Sequence, residues 1–292
     1  MKLLMFELSG DRRLGALRPG HEQELVDLSP VAHDLLALID AGEEGLDEAR
    51  RSIIKPAAVH SLESVRLLPP LDPPRGNIIG IGRNYQKHAE ETAAGNHAAE
   101  PPTVFTKAIT SITGPTDDIA VDPAVSDKID WEVELAVVIG RRGANIDRQN
   151  GFDHVFGYMV INDVSARDIQ MGWGGQYFKG KSLDRSSPIG PWVVTRDEIP
   201  EPQRLGLALR VNGQLKQDGN TRDMIYPVDA LVEWTSKGMT LLPGAVIATG
   251  TPDGVGFART PPEFLKPGDV METEVEGIGA LTNRIVAAKA RA

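Results

Sequence analysis

Cysteine is absent from the 292 residues, which excludes disulfides and thiolate chemistry and agrees with a cytoplasmic setting. No apolar run approaches the roughly eighteen residues that would span a bilayer, so no membrane partner is expected. Residues 1–8 alternate instead of forming the apolar block of a secretion signal. Blocks of lysine and arginine are missing too; with a formal net charge of -10, the chain offers no surface for nucleic acid. Gly80-Ile81-Gly82-Arg83 lacks the G-x-G-x-x-G spacing, which argues against a dinucleotide site. No repeat or low-complexity tract occurs. What remains is an ordinary globular composition with frequent turns.

The stretch that organises the rest is Asp130-Trp131-Glu132-Val133-Glu134-Leu135-Ala136-Val137-Val138-Ile139-Gly140. Read as a strand, it puts Trp131, Val133, Leu135 and Val137 on one face and Asp130, Glu132 and Glu134 on the other. Two carboxylates before an apolar run are costly to desolvate and raise each other's pKa, and a divalent cation removes both problems. Oxygen ligands favour Mg²⁺, Mn²⁺ or Ca²⁺ over zinc. The alternative is an exposed edge strand with two solvated glutamates. A second apolar strand, residues 155–164, ends in Asn162-Asp163, and Asp163 could complete a one-sided metal site. Arg167 and Asp168 beyond it read as a structural ion pair.

Around this pair, residues 1–70 read as a small N-terminal α/β module. It has strands at 2–8, 12–17 and 24–27, a helix over 33–41 stopped by Gly42, and an extended stretch at 61–68. Pro69-Pro70-Leu71-Asp72-Pro73-Pro74 marks the boundary, with 71–292 as the main domain. His21, His33 and His60 have no partners at metal-ligand spacing. Residues 77–81 form a buried strand, and a helix starting at Gln86 would put His88 and Glu91 on one face. That pair can serve as base plus orienting carboxylate, or equally as a surface ion pair. Residues 92–102 have the small, polar composition of a lid, His97 being solvated within it.

Residues 171–191 form a long glycine-rich, aromatic loop in which Lys181 could meet an anion or simply be solvated. Asn212-Gly213 is a type I′ hairpin turn and 226–234 a helix ending before Gly238. A buried strand, 245–248, runs into Thr249-Gly250-Thr251-Pro252, whose hydroxyls and amides suit a substrate carboxylate or make an ordinary turn. Strands at 270–275 and 281–286 close a β-rich chain.

Together, Gly82-Arg83-Asn84-Tyr85 with His88 and Glu91, Glu132-Val133-Glu134-Leu135, Asn162-Asp163-Val164-Ser165-Ala166-Arg167-Asp168 with Gln170, Gly180-Lys181-Ser182 and Thr249-Gly250-Thr251-Pro252 resemble the fumarylacetoacetate hydrolase family in order and spacing, from about residue 77 to the C-terminus. The resemblance implies a β-rich α+β fold, a mixed β-sandwich roll carrying the small N-terminal module, and a homodimer. It implies Mg²⁺ or Mn²⁺ held by Glu132, Glu134 and Asp163. His88 and Glu91 would form the catalytic dyad, Lys181 would stabilise an oxyanion, and Arg83, Tyr85, Gln170 and Thr251 would contact substrate. Asn84 stands where longer members carry a further metal-ligating aspartate, which places the chain nearer the acylpyruvase, decarboxylase and sugar-acid hydrolase members.

The activity so implied is hydrolysis of a C–C bond in a 1,3-dicarbonyl 2-oxo acid, an acylpyruvate or 2,4-diketo-3-deoxy sugar acid. His88 would activate the water, and a lid at 92–102 would bring the dyad into place. The alternatives are an oxaloacetate-type decarboxylase or tautomerase, whose signature would be activity surviving loss of His88, and a hydratase or isomerase of aromatic degradation. From a different class comes a catalytically silent binding protein, which retention of ligands, dyad and pocket residues disfavours.

Overall fold

A computed structural model describes residues 1–92 and 101–288; most of the expected lid, His97 included, lies outside them. The chain opens with an antiparallel meander, β1 (Lys2–Leu8), β2 (Asp11–Arg18) and β3 (His21–Asp27), each longer or equal to its predicted span. The predicted helix is α1 (Leu35–Asp40), capped by the Asp34 carboxylate accepting from Ala37 N. Gly42 does not end the helical region. With φ of 60° it turns the chain into a second helix the sequence reading missed, α2 (Gly42–Ile54). That helix buries only Gly45, Ala49 and Ile53, so its apolar signal is thin.

Short strands β4 (Val59–Ser61) and β5 (Arg66–Leu68) follow, then β6 (Ile78–Gly82), α3 (Gln86–Glu91), β7 (Thr103–Lys107), β8 (Ile112–Thr113) and β9 (Ile119–Val121). The organising stretch is β10 (Ile129–Asp130) and β11 (Val133–Ile139), broken at Trp131-Glu132. Next come β12 (Val155–Asn162), β13 (Ser165–Ala166) and α4 (Arg167–Gly172). The expected loop is cut short by β14 (Ser187–Thr195), which begins where Ser187 and Pro188 pair in parallel with β8. The remainder is β15 (Gly206–Val211), β16 (Gln214–Asn220), α5 (Val228–Ser236), β17 (Val246–Ala248), β18 (Val270–Val275) and β19 (Gly279–Ala287). Asn212 and Gly213 both have positive φ (52° and 74°), as the type I′ turn requires.

Ten strands run in the order β4-β3-β2-β1-β14-β12-β11-β17-β6-β7, and a smaller sheet runs β16-β15-β18-β19-β9. The strands of the N-terminal module extend the large sheet through pairing of β1 with β14. Val133, Leu135, Val137 and Ile139 enter the core shared with the smaller sheet and α5, whereas Ala136 and Val138 enter the core that contains α1 and α2. All seven residues of β11 are buried, so the edge-strand reading of the glutamates is excluded.

The pairing directions locate the site. β6 and β17 are parallel, β11 is antiparallel to β17, and β12 is antiparallel to β11. The ends of β6, β12 and β17 and the start of β11 therefore meet at one end of the sheet. Arg83, Asp163, Thr249 to Thr251, Glu132 and Glu134 lie there.

Candidate active site and metal centre

Val133 pairs with Asn162 and Glu134 with Ile161, so the two acidic segments lie side by side. Asp163 N donates to Glu132 O at 2.9 Å, and Glu132 N donates to Asn162 Oδ1 at 3.0 Å. Val133 N donates to Gln217 Oε1 from β16. The backbone between the glutamates is thereby fixed by both neighbours. Glu132, Glu134 and Asp163 converge, each offering one oxygen within 4.8 Å of the others, and all three are buried.

Three buried cations surround them. Lys181 Nζ lies 2.7 Å from Glu132 Oε2 and 2.8 Å from Asp163 Oδ2. Lys107 Nζ lies 2.5 Å from Asp163 Oδ1 and donates to Val164 O. Arg167 reaches Glu132 Oε1 at 2.6 Å and Asp130 Oδ2 at 2.8 Å. The expected Arg167–Asp168 ion pair does not form: Arg167 turns inward to carboxylates that would otherwise be buried unpaired, and Asp168 accepts from Ser126 Oγ. Asp130 shares the glutamates' alternation but stays outside the cluster, because Trp131 N, Gly256 N, Phe257 N and Arg167 occupy its oxygens.

Burial pushes the Glu132 carboxyl up, but Lys181 and Arg167 outweigh it and hold the group well below the usual carboxylate range. Glu134 goes the other way: burial, then Asp163 and Glu132, push it well above its ordinary value. Its Oε2 accepts from Gly250 N at 2.8 Å, and no cation pairs with it among the described residues. Four buried carboxyl groups thus face three buried cations, and Glu134 is the one left without a cationic partner. An all-oxygen, acidic, buried donor set with an uncompensated carboxylate fits Mg²⁺ or Mn²⁺.

Beside this cluster is a cavity of about 120 Å³, lined by residues that include Arg83, His88, Phe105, Gln170, Tyr177, Lys181, Thr251 and Phe257. His88 Nδ1–H donates to Glu91 Oε1 at 2.8 Å, while Gly254 N anchors the same carboxylate at 3.0–3.2 Å. The α3 register therefore makes a part-buried pair at the cavity wall, with His88 buried and Glu91 22 % exposed, not a pair on the open surface. Glu90, on another face, accepts from Gln86. Arg83 is held at a φ of 58°, uncommon for a residue other than glycine, and its Nη2 lies 3.4 Å from Tyr177 Oη. Gln170 Oε1 accepts from Arg167 Nη1.

Two expectations change. Tyr85 does not line the cavity; its ring is 2 % exposed in the core, and burial together with Glu134 keeps its phenol protonated. The Gly250 amide and the Thr249 and Thr251 hydroxyls are not held free for substrate, since they donate to Glu134, Leu135 O and Val133 O. Thr251 still lines the cavity, with an oxygen that accepts from Gln217 Nε2. Lys181 is 2 % exposed and lines the cavity, which excludes the solvated alternative. Asn84 donates to Tyr226 O and Thr249 O and accepts from Tyr226 N, so it clamps two loops together. Lys107 was missed altogether, because a lysine closing Thr103–Lys107 carries no mark of burial in sequence.

Fold and site together define a β-rich roll whose buried acidic cluster could hold a divalent cation. The family model for the fumarylacetoacetate (FAA) hydrolase C-terminal region matches residues 77–286, and the chain belongs to that family. It is 42 % identical over 272 residues to the oxaloacetate tautomerase YisK of Bacillus subtilis, covering 90 % of each chain. Its fold matches the fumarylacetoacetate hydrolase of Exiguobacterium antarcticum with a TM-score of 0.86 at 39 % identity, covering 99 % of this chain and 100 % of that one. It also matches the maleylpyruvate hydrolase of Sphingobium sp. SYK-6, a complex with manganese(II) and pyruvate, with a TM-score of 0.82 at 27 % identity and coverage of 99 % and 100 %. Among the described residues, no helix is long and apolar enough to cross a membrane.

Proposed function

We propose that this chain is a Mg²⁺- or Mn²⁺-dependent enzyme that interconverts the keto and enol forms of a short dicarboxylic 2-oxo acid of the oxaloacetate type. The observation that carries this reading is Arg83. It lines the same small cavity as the acidic cluster, yet pairs with no carboxylate among the described residues. One end of a substrate would face the metal centre and the other a free guanidinium, which suits two carboxylates on a short chain. The 42 % identical relative named for oxaloacetate tautomerisation supports the same reading.

The residues divide the work. Glu132, Glu134 and Asp163 would hold the cation, which when bound supplies Lewis-acid polarisation of the 2-oxo group. His88, its Nδ1–H committed to Glu91, would present Nε2 to take the proton from C3 of the keto form. Lys181 would donate to the oxygen that gains charge as that proton leaves. Returned from His88 Nε2 to that oxygen, the same proton would complete the enol, and the reverse sequence returns the keto form. Gln170, fixed by Arg167, and Thr251 would bound the substrate.

C–C hydrolysis, the first expectation from the sequence, draws support from the more distant maleylpyruvate hydrolase. The dyad geometry gives His88 a proton to carry in either reaction. Survival of activity without His88 therefore no longer separates them, and products do. Enolic oxaloacetate should lose its ultraviolet absorbance faster with the Mn²⁺-loaded protein than with Mn²⁺ alone, without forming pyruvate. Release of a carboxylic acid from acylpyruvates, with no effect on oxaloacetate, would overturn the proposal in favour of hydrolysis. Pyruvate and CO₂ from oxaloacetate would turn it to decarboxylation.

A further inference from the structure

All four oxygens of Glu132 and Asp163 are engaged by buried cations, so a divalent ion using these carboxylates has to share or displace a partner. The three cations are not equally fixed. Arg167 is tied to Asp130 and Gln170 and stacks on the Phe257 ring at 4.4 Å. Lys107 donates to Val164 O, is 0 % exposed and does not line the cavity. The only hydrogen-bonding partners found for the Lys181 ammonium among the described residues are Glu132 and Asp163. It lines the cavity, and the Phe105 ring lies 5.1 Å away as a second resting surface.

Resting on the proposed metal site, we infer that Lys181 is an exchangeable counter-ion. It competes with the divalent cation for Glu132 and Asp163 and moves into the cavity, toward Phe105, when the cation enters. Charge supports the exchange. The carboxylates exceed the cations by one, so a divalent ion beside an unmoved ammonium makes the buried cluster net positive. Moving the ammonium away lowers that repulsion and delivers a cation to where an anionic substrate would lie. Lys107 and Arg167, anchored elsewhere, hold the rear oxygens throughout.

The test uses the full-length protein, stripped by chelation and titrated with Mn²⁺, free ion being read from its electron paramagnetic resonance signal. Lys181→Met should bind Mn²⁺ more tightly than wild type, by on the order of tenfold or more, since a competing charge is gone. Equal or weaker binding by Lys181→Met overturns the exchange. No Mn²⁺ binding by folded wild type overturns the metal reading itself, a separate failure. Should Lys181→Met not fold when stripped, ¹⁵N spectra of the wild-type lysine side chains decide, with the resonance assigned through Lys181→Arg. Added Mg²⁺ should shift or abolish the Lys181 ammonium signal and spare that of Lys107. An unchanged Lys181 signal with Mg²⁺ bound overturns the proposal.

Discussion

Lys107 Nζ lies 2.5 Å from Asp163 Oδ1, with both side chains 0 % exposed. Burial pulls the lysine's pKa down and Asp163 only partly restores it, so the charged pair persists through mutual dependence. Removing one member leaves a charge with reduced compensation in a dry interior. Lys107→Met is therefore expected to lower stability by about 3 kcal/mol, the low end for a broken buried pair because Lys181 still reaches Asp163. Urea unfolding at neutral pH measures this, and a change under about 0.5 kcal/mol would mean that Asp163 does not need Lys107.

The dyad makes a separable prediction. His88 pairs with Glu91, which Gly254 N also holds, and neither belongs to the carboxylate cluster. His88→Gln should lower turnover of the keto–enol reaction by about 10²–10⁴-fold and leave Mn²⁺ binding intact. Glu91→Gln should cost less, because it weakens orientation without removing the base. Parallel loss of Mn²⁺ binding and activity in His88→Gln would move His88 out of the proton-transfer role.

How far these features could be read from the sequence follows from periodicity. The alternation of Trp131 to Ile139 predicted a strand with two chemically different faces, and both faces proved buried. The i, i+3 spacing of His88 and Glu91 anticipated their contact. Nothing local marked Lys107 or the inward turn of Arg167. Their partners lie 56 and 37 residues away in sequence, and only the pairing of strands brings them together. Tyr85 failed for a related reason: Gly82 and Arg83 of the same motif line the cavity, but its own ring is buried in the core. α2 was missed because its buried face is made of glycine, alanine and one isoleucine.

Asp117 ties β5, the end of β8 and the segment before β14 together and gives a pH prediction. It accepts from Arg66 Nη2 at 2.9 Å, Arg185 Nη2 at 2.8 Å, Gly114 N and Thr113 Oγ1. Burial pushes its carboxyl up, but the bonds from Arg66, Gly114 and Thr113 outweigh it and hold the pKa below the ordinary 3.8. A lowered folded-state pKa contributes stability that is present above the unfolded value and lost as pH falls through the folded one. Asp117→Asn should thus cost about 2 kcal/mol at pH 7. Denaturant midpoints measured at about pH 7 and about pH 3 should show the gap between wild type and variant shrinking at the acidic end. A gap that widens on acidification contradicts the sign.

Arg83 carries the substrate assignment, so its removal tests it most directly. The guanidinium is half-buried in the cavity wall, near the Tyr177 hydroxyl at 3.4 Å, and the Tyr177 ring packs edge-on against Phe105 at 5.7 Å. A charge-assisted contact to a distal carboxylate is worth about 1.5–3 kcal/mol, or about 10–150-fold in kcat/KM. Arg83→Met should lose that factor on oxaloacetate and lose little on 2-oxo acids that lack the second carboxylate. Tyr177→Phe, which keeps the ring contact with Phe105 but frees Arg83 Nη2, should show a smaller loss of the same selectivity. Equal losses on mono- and dicarboxylic substrates would mean that Arg83 shapes the cavity without reading the distal charge. The substrate class would then rest on the metal end alone.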